Sequence, residues 1–207
     1  MQTEGGLRAV LSSPLVYRLF QRAAGAVRSR RWLIDEMYRV HDGTRMVDIG
    51  CGPGDILDEL PPLTYIGLDI SPEYIAAARQ RYGARGTFVV GEAPRLLQVP
   101  EAFGADLVAC AGVLHHVSDA QMLELLDVSY QLLAAGGRFV AWEPTYLLHQ
   151  SRVSRWLLGQ DRGMAVRTEQ RWKELMAQSR FEDVRTSIAT HLLRIPYTHI
   201  IIEACRQ

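Results

Sequence analysis

The chain has 207 residues, 48% of them hydrophobic, and its 23 basic and 23 acidic residues cancel to a formal net charge of zero. That length and apolar content suit a single domain, 1–207, with a substantial core. The neutral balance argues against an extended nucleic-acid groove, which needs a surplus of cations to meet phosphates.

Three scattered cysteines, Cys51, Cys110 and Cys205, have no metal-ligand spacing, so reduced, packed thiols and no bound metal are expected. Neither a secretory signal nor an apolar stretch long enough to span a bilayer is evident, and a cytoplasmic protein is expected. Lys173 is the only lysine, which a GC-rich coding genome explains more simply than selection for anion recognition.

In chain order, residues 11–40 predict two short helices, or one broken around Ala24-Gly25-Ala26. Leu15, Tyr17, Leu19 and Phe20 precede the break; Trp32, Leu33, Met37 and Tyr38 follow it. A β-branched run, Met46 to Ile49, then stops at Gly50, Gly52 and Gly54, and Ile56-Leu57-Asp58-Glu59-Leu60 resumes at helical spacing. This predicts strand, tight Gly-rich turn and helix N-terminus, the nucleotide-binding start of a doubly wound α/β sheet.

A second strand, Tyr65 to Asp69, ends in an acid. Ser71-Pro72-Glu73 then supplies a cap, a proline at the first helical position and a first-turn carboxylate. A third strand, Thr87 to Val90, leads into Gly91-Glu92-Ala93, and a fourth, from Ala105, ends in Ala111-Gly112-Val113-Leu114-His115-His116 before a helix near Asp119. A helix end at Leu132, a turn at Gly136-Gly137 and a fifth strand through Trp142 close the alternating core, 45–143.

Beyond Pro144 the periodicity loosens. A short helix near 151–158 carries Arg152, Arg155 and Trp156; a second is capped by Thr168; strands Val184–Thr190 and Tyr197–Ala204 close the chain around Arg194-Ile195-Pro196.

Five ordered segments (Asp48 to Gly54; Asp69; Gly91-Glu92-Ala93; Leu114-His115-His116-Val117; Leu132 to Phe139) resemble the motifs of class I S-adenosylmethionine-dependent methyltransferases of the small-molecule, Leu-His-His type. The resemblance implies a Rossmann-like seven-stranded sheet of order 3-2-1-4-5-7-6 with the last strand antiparallel. It also implies an N-terminal helical lid (1–40), a substrate-lid insertion (145–170) and a closing helix and strand hairpin (171–207). S-adenosylmethionine is the implied cofactor and S-adenosylhomocysteine its product.

Mapped onto this sequence, the pattern assigns the cofactor to Asp48, Gly50, Cys51, Gly52, Gly54, Asp69, Ile70, Glu92, Ala93, Ala111 and Gly112. Asp48 organises the loop amides, Asp69 takes the ribose hydroxyls, Glu92 and Ala93 flank adenine, and Ala111 and Gly112 line the methionine portion. Two positions depart from the commoner pattern: Glu92, where aspartate is usual, and Ala135, where proline is.

Methyl transfer is an in-line displacement that needs alignment, water exclusion and, for some acceptors, removal of a proton. His116 is the preferred candidate for a general base and His115 the second, with simple packing the alternative for each. His149, Arg152, Arg155 and Trp156 are candidate acceptor-binding residues. Arg152 and Arg155 share a helix face and could clamp an anionic group, against the blander reading of a solvated face.

The acceptor is expected to be a small molecule, methylated on oxygen or nitrogen rather than carbon or sulfur; oligomeric state stays open. A non-catalytic cofactor-binding or interaction protein is the alternative. A nicotinamide dehydrogenase lacks support because Gly-x-Gly-x-Gly is not its fingerprint. A nucleic-acid amino-methyltransferase would carry an Asn/Asp-Pro-Pro-aromatic tetrapeptide where Ala111 to Leu114 stand.

Overall fold

Alternate residues of the central strands serve two separate cores, which places the sheet between two layers of helices. Val47 and Ile49, Val108 and Cys110, and Phe139 and Ala141 face one side. Met46, Leu107, Ala109 and Val140 face the other. The computed structural model describes residues 26–160, 163, 165–193 and 195–207. The expected helix through Leu15 and Phe20, and the turn residue Arg194, lie outside them.

The parallel core consists of β1 (Arg45–Ile49), β2 (Thr64–Asp69), β3 (Thr87–Val90), β4 (Ala105–Ala111) and β5 (Leu133–Tyr146). A two-residue strand, β6 (Arg167–Thr168), pairs with the far end of β5, and β7 (Asp183–Ala189) and β8 (His199–Cys205) form the closing hairpin. The order is β3-β2-β1-β4-β5-β8-β7, with β8 antiparallel to both neighbours. Leaving β6 aside, this is the expected seven-stranded arrangement.

The helices are α1 (Ala26–Trp32), α2 (Pro72–Tyr82), α3 (Asp119–Leu132), α4 (Arg152–Gly159) and α5 (Glu169–Met176). Their caps follow the sequence: Ser71, Ser118, Ser151 and Thr168 each accept from an amide in the first turn.

One expectation is corrected. After the glycine loop there is no α-helix: Asp55–Asp58 makes a single 3-10 turn, because Pro61-Pro62 follows too soon for a helix to propagate. The β3-to-β4 crossover likewise consists of 3-10 turns, Ala93–Gln98 and Pro100–Ala102, each starting at a proline or one residue before it.

Of the N-terminal segment 1–40, residues 26–40 are described. Its described part continues α1 as a π-helical turn, Leu33–Tyr38, and Leu33, Ile34, Met37 and Tyr38 are buried in the second of the two cores. The Arg138 guanidinium on β5 donates to the Met37 carbonyl (2.9 Å) and to that of Tyr38, tying off the helix end. Residues 29–40 are thus a wall of the core, since four large apolar side chains gain more from burial than from waiting over a cleft.

Candidate active site

All the strand ends that the motifs mark lie on one edge. Ile49 pairs with Leu68 and Cys110, Asp69 with Val90, and Ala111 with Trp142. The carboxyl edge near β1 and β4, where the order of connection reverses, is where open α/β sheets bind ligands.

The loop after β1 turns on Gly50, Gly52 and Gly54, all at left-handed φ (80°, 55° and 76°). A Cβ on Gly50 would also overlap Val113 Cγ2, whereas one on Gly52 would meet nothing within 4 Å, so the loop is sealed on one side and open on the other. The Leu68 carbonyl accepts from the Gly50 and Cys51 amides (2.7 and 3.0 Å).

Asp69 bridges the next two amides, its Oδ2 accepting from Gly52 (2.9 Å) and its Oδ1 from Ser71 (2.8 Å). Each oxygen retains a second lone pair. Asp48 makes no direct bond to a loop amide. It lies buried beneath the loop, accepting from the Tyr65 hydroxyl (2.6 Å). Burial pushes its carboxyl up to about 6, against the lowering effect of Tyr65. Ile70 is 73% exposed, Glu92 is exposed and Ala93 is buried at the start of its 3-10 turn. An open glycine face, a two-oxygen acceptor and an uncovered apolar side chain fit a nucleoside cofactor.

Beyond β4 the chain makes a 3-10 turn, Leu114–His116. Glu143 on β5, fully buried, holds that turn. Its Oε1 accepts from the Val113 and Leu114 amides (2.8 and 2.9 Å), its Oε2 from the His115 amide (3.2 Å) and from His115 Nδ1 (2.6 Å). An ionised carboxylate only accepts, so Nδ1 carries the proton in this pair and Nε2 is left as the basic nitrogen.

Cε1 of the His115 ring faces Gly112, and a side chain on Gly163 would overlap its Cδ2. Nε2, between those carbons, therefore points along the seam between the end of β4 and the chain at 163. His116 is exposed, its ring stacked on His115 with centroids 3.9 Å apart. Glu143 thus holds His115, the second choice from sequence, and the ring of the preferred His116 stacks on it.

A second anchor grips the same turn from the other side. Arg167 on β6 is 5% exposed. It donates to Leu114 O (2.7 Å), Val117 O (2.8 Å), Ala165 O (3.2 Å) and Asp119 Oδ1 (2.7 Å), with its guanidinium 4.8 Å from the Trp172 ring centroid. Hydrogen bonds from Arg171 and Arg167 hold the Asp119 carboxyl below its ordinary range.

Sequence reasoning assigned Glu143 and Arg167 no role. The one available signal was an acid directly after the apolar run Phe139 to Trp142; nothing marked Arg167. His149, Arg152, Arg155 and Trp156 are exposed beyond the end of β5. Arg155 donates to Leu147 O (3.2 Å), with its guanidinium 5.7 Å from the Tyr146 ring centroid. Among the described residues no group of three metal-ligating side chains gathers.

These features fit an α/β domain that holds a nucleoside-bearing cofactor at a glycine loop, with an imidazole in the turn after β4 on the same sheet edge. Residues 47–139 match the family model described as "Methyltransferase domain". The chain is 32% identical over 127 residues to highly reducing polyketide synthase 40 of Fusarium pseudograminearum, covering 55% of this chain and 5% of that protein. It is 32% identical over 110 residues to demethylmenaquinone methyltransferase of Deinococcus radiodurans, covering 50% and 44%. The chain therefore spans less than half the length of either relative. The solved structure of the pyocyanin biosynthetic protein PhzM superposes with a TM-score of 0.72 at 21% identity, over 99% of this chain and 63% of that one.

Proposed function

We propose that this chain transfers a methyl group from S-adenosylmethionine to a small-molecule acceptor that gives up a proton, leaving S-adenosylhomocysteine. The observation that carries the reading is the His115–Glu143 pair on the same sheet edge as the glycine loop. When bound, the cofactor supplies an activated methyl and a good leaving group.

The chain's own residues do the rest. The Gly50–Gly54 backbone admits the cofactor closely, with Cys51 in the turn. Asp69 takes the ribose hydroxyls, Ile70, Glu92 and Ala93 surround adenine, and Ala111 and Gly112 line the methionine end. Asp48, beneath the loop, favours a cationic group above it. Glu143 fixes the ring and tautomer of His115, so that Nε2 accepts the proton from an O–H, N–H or acidified C–H. His116 orients the acceptor, and His149, Arg152, Arg155 and Trp156 form its outer wall. One relative is named for a small molecule, demethylmenaquinone, which supports a small acceptor.

Calorimetry should give one-to-one binding of S-adenosylmethionine and of its demethylated product, with NAD unbound. Asp69→Ala should weaken that binding by about 1–3 kcal/mol through loss of a charged acceptor. Unchanged affinity would remove the ribose assignment. Once an acceptor is found by a metabolite screen with labelled cofactor, His115→Gln should lower turnover about 10²–10⁴-fold and abolish the imidazole limb of the pH–rate profile. His116→Gln should keep that limb. The opposite pattern would return the base to His116.

A further inference from the structure

Three of the eight exposed large apolar side chains among the described residues fall within nine positions: Leu148 (87% exposed), Val153 (57%) and Trp156 (57%). Val153 and Trp156 lie i,i+3 on one face of α4, flanked by the exposed Arg152 and Arg155. The opposite face is fixed: Leu158 is 1% exposed, and buried Ser154 bonds to Thr198 (3.0 Å) and Gln150 (2.9 Å). Between Glu143 and Asp161 the sequence has no acidic residue, while Arg152, Arg155 and His149 lie there. The patch is therefore apolar, cationic and firmly mounted, beyond the end of β5 on the cofactor side of the sheet.

We propose that this face of α4, with Leu148, seats on an anionic lipid surface. Arginines beside an exposed tryptophan and aliphatic side chains suit the boundary between headgroups and acyl chains. A stable protein interface needs about 800 Å² from each partner and a shaped counterpart, which two side chains on an eight-residue helix and one just before it do not offer; a fluid surface needs no matching shape. Attachment would be peripheral, since no helix among the described residues is long and apolar enough to cross a membrane. Seated this way, the outer rim of the acceptor side faces the lipid, from which an apolar acceptor could enter.

The test is co-sedimentation of the full chain with vesicles of phosphatidylglycerol and phosphatidylcholine, against phosphatidylcholine alone; it does not depend on methyl transfer. The parent should partition into the anionic vesicles, less so at high salt. The double variant Arg152→Gln/Arg155→Gln should lose about 25-fold, roughly fivefold for each arginine. Trp156→Ala should lose about tenfold. All these positions are exposed, so thermal unfolding should be unchanged. Trp156→Phe should still partition but lose the blue shift of tryptophan emission that the parent shows on anionic vesicles. Equal partition into neutral vesicles, parent-like partition of the double variant and of Trp156→Ala, or a blue shift persisting in Trp156→Phe would each overturn the proposal. So would binding of polyglutamate without binding of vesicles, which would point to an acidic protein partner.

Discussion

Replacing Glu143 by glutamine tests the organisation of the site without creating a cavity. The carboxylate accepts four hydrogen bonds: two at Oε1, from the Val113 and Leu114 amides, and two at Oε2, from the amide and Nδ1 of His115. A glutamine oxygen in the Oε1 position keeps the first pair. The NH2 group in the Oε2 position then confronts two donors, so the second pair is lost unless the ring changes tautomer.

Two bonds to a charged acceptor are together worth about 3–6 kcal/mol. Part returns because a charge no longer has to be buried, which leaves a net loss of about 2–4 kcal/mol. Urea unfolding of the variant and parent measures this directly. Nitrogen chemical shifts of the imidazole should show the proton moving from Nδ1 to Nε2, the wrong nitrogen for accepting one from substrate. Turnover should fall by about 10²–10⁴-fold while cofactor affinity changes little. A variant within about 0.5 kcal/mol of the parent, with the proton still on Nδ1, would refute the assignment of Glu143 as the group that sets His115.

Two further outcomes follow from the loop. The Asp48 carboxyl rises from 3.8 to about 6 on folding, so the native state binds an extra proton between those values. Stability from this group is present in acid and is lost as pH rises through about 6, in total about 3 kcal/mol. Asp48→Asn keeps an acceptor for Tyr65 and removes the titration, so the variant should gain on the parent by up to that amount between pH 4 and pH 7; parallel stability curves would reject the burial argument. Gly50→Ala combines a positive φ with overlap at Val113, and should abolish cofactor binding by calorimetry. Adding Val113→Ala relieves the overlap but not the φ, so binding should return only in part; full recovery would mean that φ carries no cost there.

The parts legible in the sequence are those whose causes are local. A β-branched run interrupted by glycines at 50, 52 and 54 dictates strand and turn, because the backbone sterics that favour glycine act within one or two residues. The acid ending β2 and the serine and threonine caps are local in the same sense, and so the cofactor edge could be anticipated; the strand order was implied by the family resemblance of these motifs. The single 3-10 turn after Gly54 was also written locally, in Pro61-Pro62, although the apolar spacing of Ile56 to Leu60 pointed to a helix.

The tertiary structure alone decided which histidine pairs with a buried carboxylate. His115 and His116 are adjacent, and the carboxylate that holds the ring of His115 lies 28 residues away. Arg167 reaches the same turn from 53 positions away, placed by a two-residue strand too short to leave a periodic pattern. Residues 29–40 became a wall for the same reason: burial depends on which sheet face lies opposite, and no local spacing encodes that partner. Backbone conformation is set by near neighbours in sequence, whereas the pairing of a buried charge is set by neighbours in space.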